Sequence, residues 1–367
     1  MKLFCKKSDL NPAISHVTHS VASRTTSHIL EGILFEVVDD RLSLTATDTN
    51  MTITCSLPVE SDKNVSFVVN AKLIGSIVTK LPDEQILLEY DEERGMILIK
   101  SGRSSSELHT FSADEFPKIM TGEGKKIVLS KNAFRNLIKK TAFAASNDEL
   151  TGILTGILIE LHGGDLRMVA IDAYRMAIYS SEVTDRENEL TLVVPAKLLN
   201  EVAKIISDDE EDLILETVDN KMILYFENTR VVLNTLNGKY IDYQKILTKA
   251  NGSISVRVLR DELLKAIDRA YLLTSSQNNN LIKCIIEDQT LSIQSAAEEG
   301  HIHEMVDIIK EGNDLTIGFN ARFVLDILKV IEDEEVTISL QAPNVPCTIK
   351  PVKGDTYTYL ITPVIIN

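Results

Sequence analysis

The chain has 367 residues and a net charge of −16, with 44% hydrophobic and 25% charged residues, a balance typical of globular proteins with two or three domains. No apolar run reaches the roughly 18 residues that a membrane-spanning helix needs, and the amino-terminus lacks a signal-peptide pattern. We therefore expect a cytoplasmic protein without a membrane segment. The four cysteines have neither a metal-binding nor a redox spacing, which excludes those motifs.

A short apolar strand followed directly by an amphipathic helix recurs three times along the chain. The key alanine of this segment stands at positions 71, 196 and 321, and 125 residues separate each from the next. A fixed long period indicates a repeated architecture. We therefore predict three domains, at residues 1–124, 125–250 and 251–367.

In chain order, each repeat consists of two halves, and each half contains a strand, a helix and three more strands. The first repeat starts with a strand at 2–5 and a helix from about Ser8, its predicted N-cap, and a second helix follows at 71–81. The second repeat copies this pattern with Ser130 as the cap, and the last helix of the third runs over 320–331. Two helices and about eight strands per domain predict an α+β fold, with helices packed on antiparallel sheets.

Basic side chains recur at matched positions of these helices, although the chain as a whole is acidic. The residue after the key alanine is basic each time, and the acids gather instead in turns and loops. A solvated helix face is the usual meaning of a charged stripe, but its recurrence favours a surface that contacts phosphate. The predicted phosphate-facing residues are Arg24, Lys72, Lys80, Lys131, Arg135, Lys139, Lys197, Lys204, Arg322 and Lys329.

The number of helices sets the size of any ring that such domains would form around a duplex. Helices are about 10 Å wide, so six from one chain would enclose a hole of about 9 Å, too narrow for a duplex about 20 Å across. Twelve helices from two chains would leave about 28 Å. A ring on DNA should therefore be a homodimer, with few, water-mediated phosphate contacts and no sequence preference.

Six segments of the chain resemble the bacterial DNA polymerase III beta subunit family, the sliding clamps. They are SGRS at 101–104, DEFP at 114–117, VAIDAYRM at 169–176, NGKYIDY at 237–243, IGFN at 317–320 and YLITPV at 359–364. The resemblance covers the whole chain, including its threefold repeat. It implies three clamp domains that form half of a ring, and a non-catalytic, cofactor-free processivity factor that encircles duplex DNA as a homodimer.

The resemblance also implies that partners insert short linear motifs into an apolar pocket between the second and third domains. Those partners are the polymerase catalytic subunit, clamp-loader subunits, and repair polymerases or mismatch-repair proteins. A mostly apolar cleft with a cation at its rim suits a peptide of mixed apolar and acidic residues. The implied pocket residues are Leu154, Ile171, Ala173, Tyr174, Arg175, Met176, Ile241, Lys245, Ile246, Leu360, Thr362, Pro363 and Val364. Plain core packing is the alternative for Leu154, Met176, Ile246 and Leu360.

The sequence departs from the family pattern at several positions. Tyr174 stands where a His is common, Ile241 where a Pro is common, and Ile365 where a basic residue is common, which leaves the peptide preference open. At the ring interface, a serine stands where an aromatic is common, which predicts a weaker or repacked dimer. The implied interface residues are Arg103, Ser106, Leu272, Leu273, Glu298 and Glu299, with Arg103 facing one of the two glutamates.

Two alternatives stand beside the clamp hypothesis. A monomeric scaffold would use the same peptide pocket without encircling DNA. A metal-dependent enzyme would use His301 and His303 on one strand face, with Asp48 and Asp172 at matched positions. A metal site needs a third ligand, and none is evident nearby, so the two aspartates fit better as caps of turns. Since no P-loop, dinucleotide fingerprint or nucleophile elbow occurs, we expect no enzymatic activity, cofactor or metal.

Overall fold

The computed structural model describes residues 1–118, 122–209, 211–250, 252–275 and 280–366. They form two compact units. The first unit is Met1–Asn132 with Lys204–Thr235, and the second unit is Ala133–Ala203 with Leu236–Asn367. Over the described ranges, none of the helices is both long enough and apolar enough to cross a bilayer.

The described part of the first repeat contains two α-helices, and the start of the first differs from expectation. Its elements are β1 (Lys2–Lys6), α1 (Lys7–Thr18), β2 (Gly32–Val38), β3 (Arg41–Thr47), β4 (Met51–Pro58), β5 (Glu60–Ser61), β6 (Val65–Asn70), α2 (Ala71–Thr79), β7 (Gln85–Asp91), β8 (Met96–Ser101) and β9 (Ser104–Phe111). The predicted N-cap at Ser8 is wrong, because Lys6 occupies the cap position without a side-chain hydrogen bond. The Ser8 amide donates instead to Glu84 Oε1, a partner that local sequence does not reveal.

The second repeat contains a short third helix that the sequence did not predict. Its elements are β10 (Lys125–Ser130), α3 (Lys131–Thr141), β11 (Gly156–His162), β12 (Asp165–Ile171), β13 (Arg175–Glu182), β14 (Leu190–Pro195), α4 (Ala196–Ile205), β15 (Asp212–Val218), β16 (Lys221–Phe226), β17 (Thr229–Asn234) and α5 (Tyr243–Lys249). The Asp242 side chain caps α5 by accepting a hydrogen bond from the Lys245 amide at 3.3 Å. This helix carries two of the predicted pocket residues.

The third repeat, over its described residues, closes the chain with two helices and nine strands. Its elements are β18 (Ile254–Leu259), α6 (Arg260–Thr274), β19 (Leu281–Glu287), β20 (Thr290–Ala297), β21 (Gly300–Asp307), β22 (Ile309–Glu311), β23 (Leu315–Asn320), α7 (Ala321–Val330), β24 (Glu335–Leu340), β25 (Cys347–Pro351) and β26 (Tyr357–Ile361). Asn320 caps α7 by accepting from the Arg322 and Phe323 amides. Five apolar side chains of α7 are buried, among them Val324 and Leu328, while Arg322 and Lys329 are exposed, as its helical periodicity predicts.

The sheets are antiparallel and run across repeat boundaries. The first unit contains a 13-stranded sheet in the order β10-β15-β16-β17-β4-β3-β2-β6-β9-β8-β7-β1-β5. The second unit contains a nine-stranded sheet, β14-β11-β12-β13-β26-β25-β24-β18-β22, and a four-stranded sheet, β21-β20-β19-β23. β17 pairs with β4, and β13 pairs with β26 so that Met176 lies opposite Leu360. The α+β prediction is confirmed, and the second pairing brings residues near 175 and near 361 together.

Candidate functional site

Most of the predicted phosphate-facing side chains lie at the surface. Arg24, Lys72, Lys80, Lys139, Lys197, Lys204, Arg322 and Lys329 are exposed. Arg135 is half-buried, and its Nε donates to the Ala203 carbonyl at 3.3 Å. All of these except Arg24 lie on a helix or at its end, and exposed cations there are suited to contact phosphate without reading sequence.

Lys131, the first residue of the predicted stripe on α3, is not available to phosphate. Its side chain is fully buried, and its ammonium nitrogen lies 2.8 Å from Glu211, 2.9 Å from Asp209 and 3.0 Å from Glu227. Burial alone would lower the pKa of Lys131, but hydrogen bonds to the three carboxylates raise that pKa well above its ordinary value. The prediction that Lys131 faces DNA is therefore wrong.

The predicted pocket residues come together in the second unit. Ile171, Met176 and Leu360 belong to one buried apolar cluster, and Leu154 and Ile246 pack against it while remaining partly exposed. Core packing therefore accounts for Met176 and Leu360, which are 1% and 3% exposed. Of the remaining predicted pocket residues, Thr362, Pro363 and Val364 are half-buried. Four others are exposed: Ala173, Tyr174, Ile241 and Lys245.

We call the turn before β13, together with the carboxy-terminal segment, the first wall of the predicted site. Asp172 Oδ1 accepts hydrogen bonds from the Tyr174 and Arg175 amides at 2.8 and 2.9 Å. The Thr362 amide and hydroxyl both donate to the Tyr174 carbonyl, at 2.8 and 2.9 Å. The turn and the chain end are thus fixed to each other by backbone contacts.

Arg175 is a buried side chain and not an exposed cation at the rim of the predicted pocket. Its side chain is 8% exposed, Nε lies 3.0 Å from Asp172 Oδ2, and Nη1 lies 2.6 Å from Asp326 Oδ2. Its guanidinium carbon is also 4.6 Å from the Phe323 ring centroid and 5.3 Å from that of Phe143. A guanidinium held in this way is not an exposed cation for a ligand, so the expectation that Arg175 lines the pocket surface is corrected.

Three family models together cover almost the whole chain. The DNA polymerase III beta subunit N-terminal, central and C-terminal domains match residues 1–120, 128–242 and 246–365. The chain belongs to the DNA polymerase III beta subunit family. It is a sliding clamp, a ring-forming processivity factor of DNA replication, and a non-catalytic accessory subunit of the polymerase.

Other sliding clamps are similar to this chain over nearly the full length of both sequences. The beta sliding clamp of Bacillus subtilis (strain 168) is 30% identical, with 99% of both chains covered, and that of Staphylococcus aureus is 29% identical over 99% of both chains. The crystal structure of a putative beta subunit from Eubacterium rectale matches with a TM-score of 0.95 at 32% identity, covering both chains completely. A Pseudomonas aeruginosa clamp bound to griselimycin matches with a TM-score of 0.94 at 26% identity, again over both complete chains.

The second wall of the predicted pocket, the segment that carries Ile241 and Ile246, depends on two tyrosines that the sequence did not single out as functional. The Tyr240 hydroxyl donates to the Gly156 carbonyl at 3.2 Å, and burial raises the pKa of Tyr240. The Tyr243 hydroxyl donates to Glu160 Oε2 at 2.7 Å. Burial, then the hydrogen bond to Glu160, raise the pKa of Tyr243. These bonds fix the segment that presents Ile241 and Ile246, and the family motif at 237–243 was the available signal.

The predicted interface residues of the clamp lie on strand edges and helix surface. Within the described residues, β9 pairs with β6 only at Thr110 and Phe111, which leaves the edge of its first half open beside Arg103 and Ser106. β21 forms one end of the four-stranded sheet, and Glu298 and Glu299 precede it. Leu272 on α6 is 71% exposed, and Leu273 is half-buried.

The residues behind the metal-enzyme alternative have structural partners. Asp48 Oδ1 accepts from the Asn50 and Met51 amides, as Asp172 does in its own turn, so both aspartates cap turns. His303 Nε2 lies 2.7 Å from the Ser292 hydroxyl. Among the described residues, the group of three potential metal ligands that lies close together is Asp209, Glu211 and Glu227, and this group surrounds the Lys131 ammonium. The metal-enzyme alternative is not favoured.

Proposed function

We propose that this clamp tethers its partners through the pocket on the second unit. The observation that supports the proposal is that Leu154 and Ile246 pack on a buried apolar cluster while remaining partly exposed, and that hydrogen bonds fix the two segments carrying the other predicted pocket residues. A concave apolar site with a few fixed polar groups suits a short segment of another protein. Lys245, exposed on α5, would attract an acidic residue of that segment. The polymerase catalytic subunit, the clamp loader and repair proteins are the proposed partners, in the cytoplasm.

Griselimycin, the ligand of the Pseudomonas aeruginosa clamp, is our proposed probe of this pocket. We expect titration calorimetry to show that Ile241→Asp weakens griselimycin binding at least tenfold, because it places a charge on the apolar wall. Ile309→Asp is the matched control, since Ile309 is also exposed but lies on β22. Equal affinity in both variants would show that the probe does not use this pocket.

We infer that two chains close the ring head to tail, with β9 of one pairing with β21 of the other. Unpaired strand edges are templates for pairing with another chain, and the exposed Leu272 lies on α6, beside that edge. Sedimentation equilibrium over a dilution series should show twice the chain mass of 40.8 kDa. Leu272→Asp should shift the equilibrium towards monomer by at least tenfold, whereas Ile309→Asp should not. A monomer at all concentrations would favour the scaffold alternative.

We propose that the exposed helix cations contact the phosphates of the encircled duplex. Six of them lie on helices, and together these helices come from all three repeats: Lys72, Lys139, Lys197, Lys204, Arg322 and Lys329. Because the chain has a net charge of −16, which opposes DNA binding overall, the position of these cations matters more than their number. Binding of this kind carries no sequence preference and allows sliding.

A further inference from the structure

We propose that Asp326 on α7 is a positioning residue for the pocket and acts through Arg175, an inference that rests on the proposed function of that pocket. In this proposal, Asp326 does not contact the ligand. It affects the pocket by holding the Arg175 guanidinium in place. Arg175 Nη1 donates to Asp326 Oδ2 at 2.6 Å, while Nε donates to Asp172 Oδ2 at 3.0 Å. One buried cation therefore joins a helix of the third repeat to a turn of the second.

The turn that Arg175 holds is the one that forms the first wall. Asp172 uses Oδ2 for the guanidinium and Oδ1 for the Tyr174 and Arg175 amides. The Tyr174 carbonyl in turn accepts the two hydrogen bonds from Thr362. A displacement of the guanidinium would therefore move the turn and the chain end together, and both contribute predicted pocket residues.

The same face of α7 makes a second contact with this wall. Phe323 precedes Asp326 by three residues, so the two side chains lie on one side of the helix. The Phe323 ring stacks on the exposed Tyr174 ring, with centroids 5.7 Å apart and planes at 24°. It also covers the Arg175 guanidinium at 4.6 Å, an arrangement in which a cation is attracted to the ring face. Phe323 and Asp326 together fix the orientation of the Arg175 guanidinium and keep it buried.

The charges of this group explain why the carboxylate of Asp326 is needed. A guanidinium that is only 8% exposed and is left with one carboxylate loses a charge-assisted hydrogen bond that water replaces incompletely. We expect such a guanidinium to shift towards solvent, into the space that a ligand would occupy. Asp326→Asn keeps the shape of the side chain and removes only its charge, so it isolates this effect.

The first test is the affinity of the complete clamp for griselimycin. Titration calorimetry should show that Asp326→Asn weakens binding about tenfold, whereas Asp314→Asn, which removes an exposed partner of Lys310, should leave it unchanged. Because Asp326 acts through Arg175, adding Asp326→Asn to an Arg175→Gln clamp should cause no further loss. Wild-type affinity in Asp326→Asn, or additive losses in the double variant, would overturn the proposal.

The second test does not depend on any ligand. Hydrogen exchange of the Thr362 amide, which donates to Tyr174, should accelerate at least tenfold in Asp326→Asn and remain unchanged in Asp314→Asn. Unchanged exchange in Asp326→Asn would overturn the positioning role even if the pocket binds griselimycin. Accelerated exchange in a clamp whose wild type does not bind griselimycin would support the positioning role and contradict the proposed function of the pocket.

Discussion

The Lys131 ammonium lies 3.0 Å from Glu227 Oε1, an ion pair that joins the start of α3 to the turn between β16 and β17. Asp209 and Glu211 approach the same ammonium from the segment before β15. Three separate parts of the first unit thus meet at one buried cation. The role of Lys131 is to hold the first unit together, and not to bind DNA.

Replacing Lys131 by methionine should destabilise the first unit by about 2 kcal/mol, the usual worth of hydrogen bonds to charged groups. It removes the cation and leaves three carboxylates close together. Urea unfolding checks this, with Lys139→Met as the control because Lys139 is an exposed lysine of the same helix. If Lys131→Met and Lys139→Met unfold at the same urea concentration, the buried cluster contributes no stability.

The same cluster should lose its contribution in acid. Hydrogen bonds from Ser207 and then from Lys131 lower the pKa of Asp209 from 3.8 to about 2. Because this pKa is lower in the folded state, the stabilisation is complete above about pH 4 and is lost as the pH falls towards 2. The difference in urea midpoint between wild type and Lys131→Met should therefore be larger at pH 6 than at pH 2. A difference that is the same at both pH values would contradict the assignment.

Neutralising an exposed helix cation should lower the salt dependence of DNA binding. Lys197→Gln removes one proposed phosphate contact per chain, and the slope of log affinity against log salt should fall by about 0.9 for each phosphate that the protein no longer neutralises. Lys63→Gln is the control, since Lys63 is exposed in a loop between strands. Identical slopes in both variants would remove Lys197 from the DNA-binding surface.

Gly318 should be required for the position of the chain end. Gly318 forms an isolated β-bridge with Val364. A Cβ at Gly318 would lie only 2.6 Å from the Val364 carbonyl oxygen. Gly318→Ala should therefore displace the segment and weaken griselimycin binding. Gly75→Ala provides a contrast, because the new Cβ would lie at an ordinary distance of 3.5 Å from the Ile14 side chain. Since Gly75 lies in the interior of a helix, this substitution should stabilise the chain by about 0.5–1 kcal/mol. Both are measured by calorimetry and urea unfolding, and unchanged binding in Gly318→Ala would refute the first expectation.

The sequence predicted the fold better than it predicted the state of individual charges. The period of 125 residues and the apolar faces of the helices were sufficient for three α+β repeats with antiparallel sheets. The basic stripe on α3 correctly placed Lys139 at the surface, but it misplaced Lys131. Helical spacing shows which residues share a face of the helix, but it does not show which acidic residues of other segments pack against that face. The partners of Lys131 and Arg175 are 96 and 151 residues away, at Glu227 and Asp326.

The pocket shows the same division between local and distant information. The family resemblance brought together residues that the β13–β26 pairing does place side by side. It did not reveal the hydroxyl bonds of Tyr240 and Tyr243, because their acceptors, Gly156 and Glu160, lie on β11. The seven-residue helix α5 was also missed, since so short an element has little periodicity to detect.

Retention on DNA of defined topology tests encirclement most directly. The protein is threaded at high concentration onto linear duplex, half of the sample is circularised with ligase, and both halves are passed through a sizing column at high salt. Encirclement predicts that the protein stays with the circle, leaves the linear duplex, and is released when a single restriction site opens the circle. Equal retention on circular and linear DNA, or no release after cutting, would contradict it.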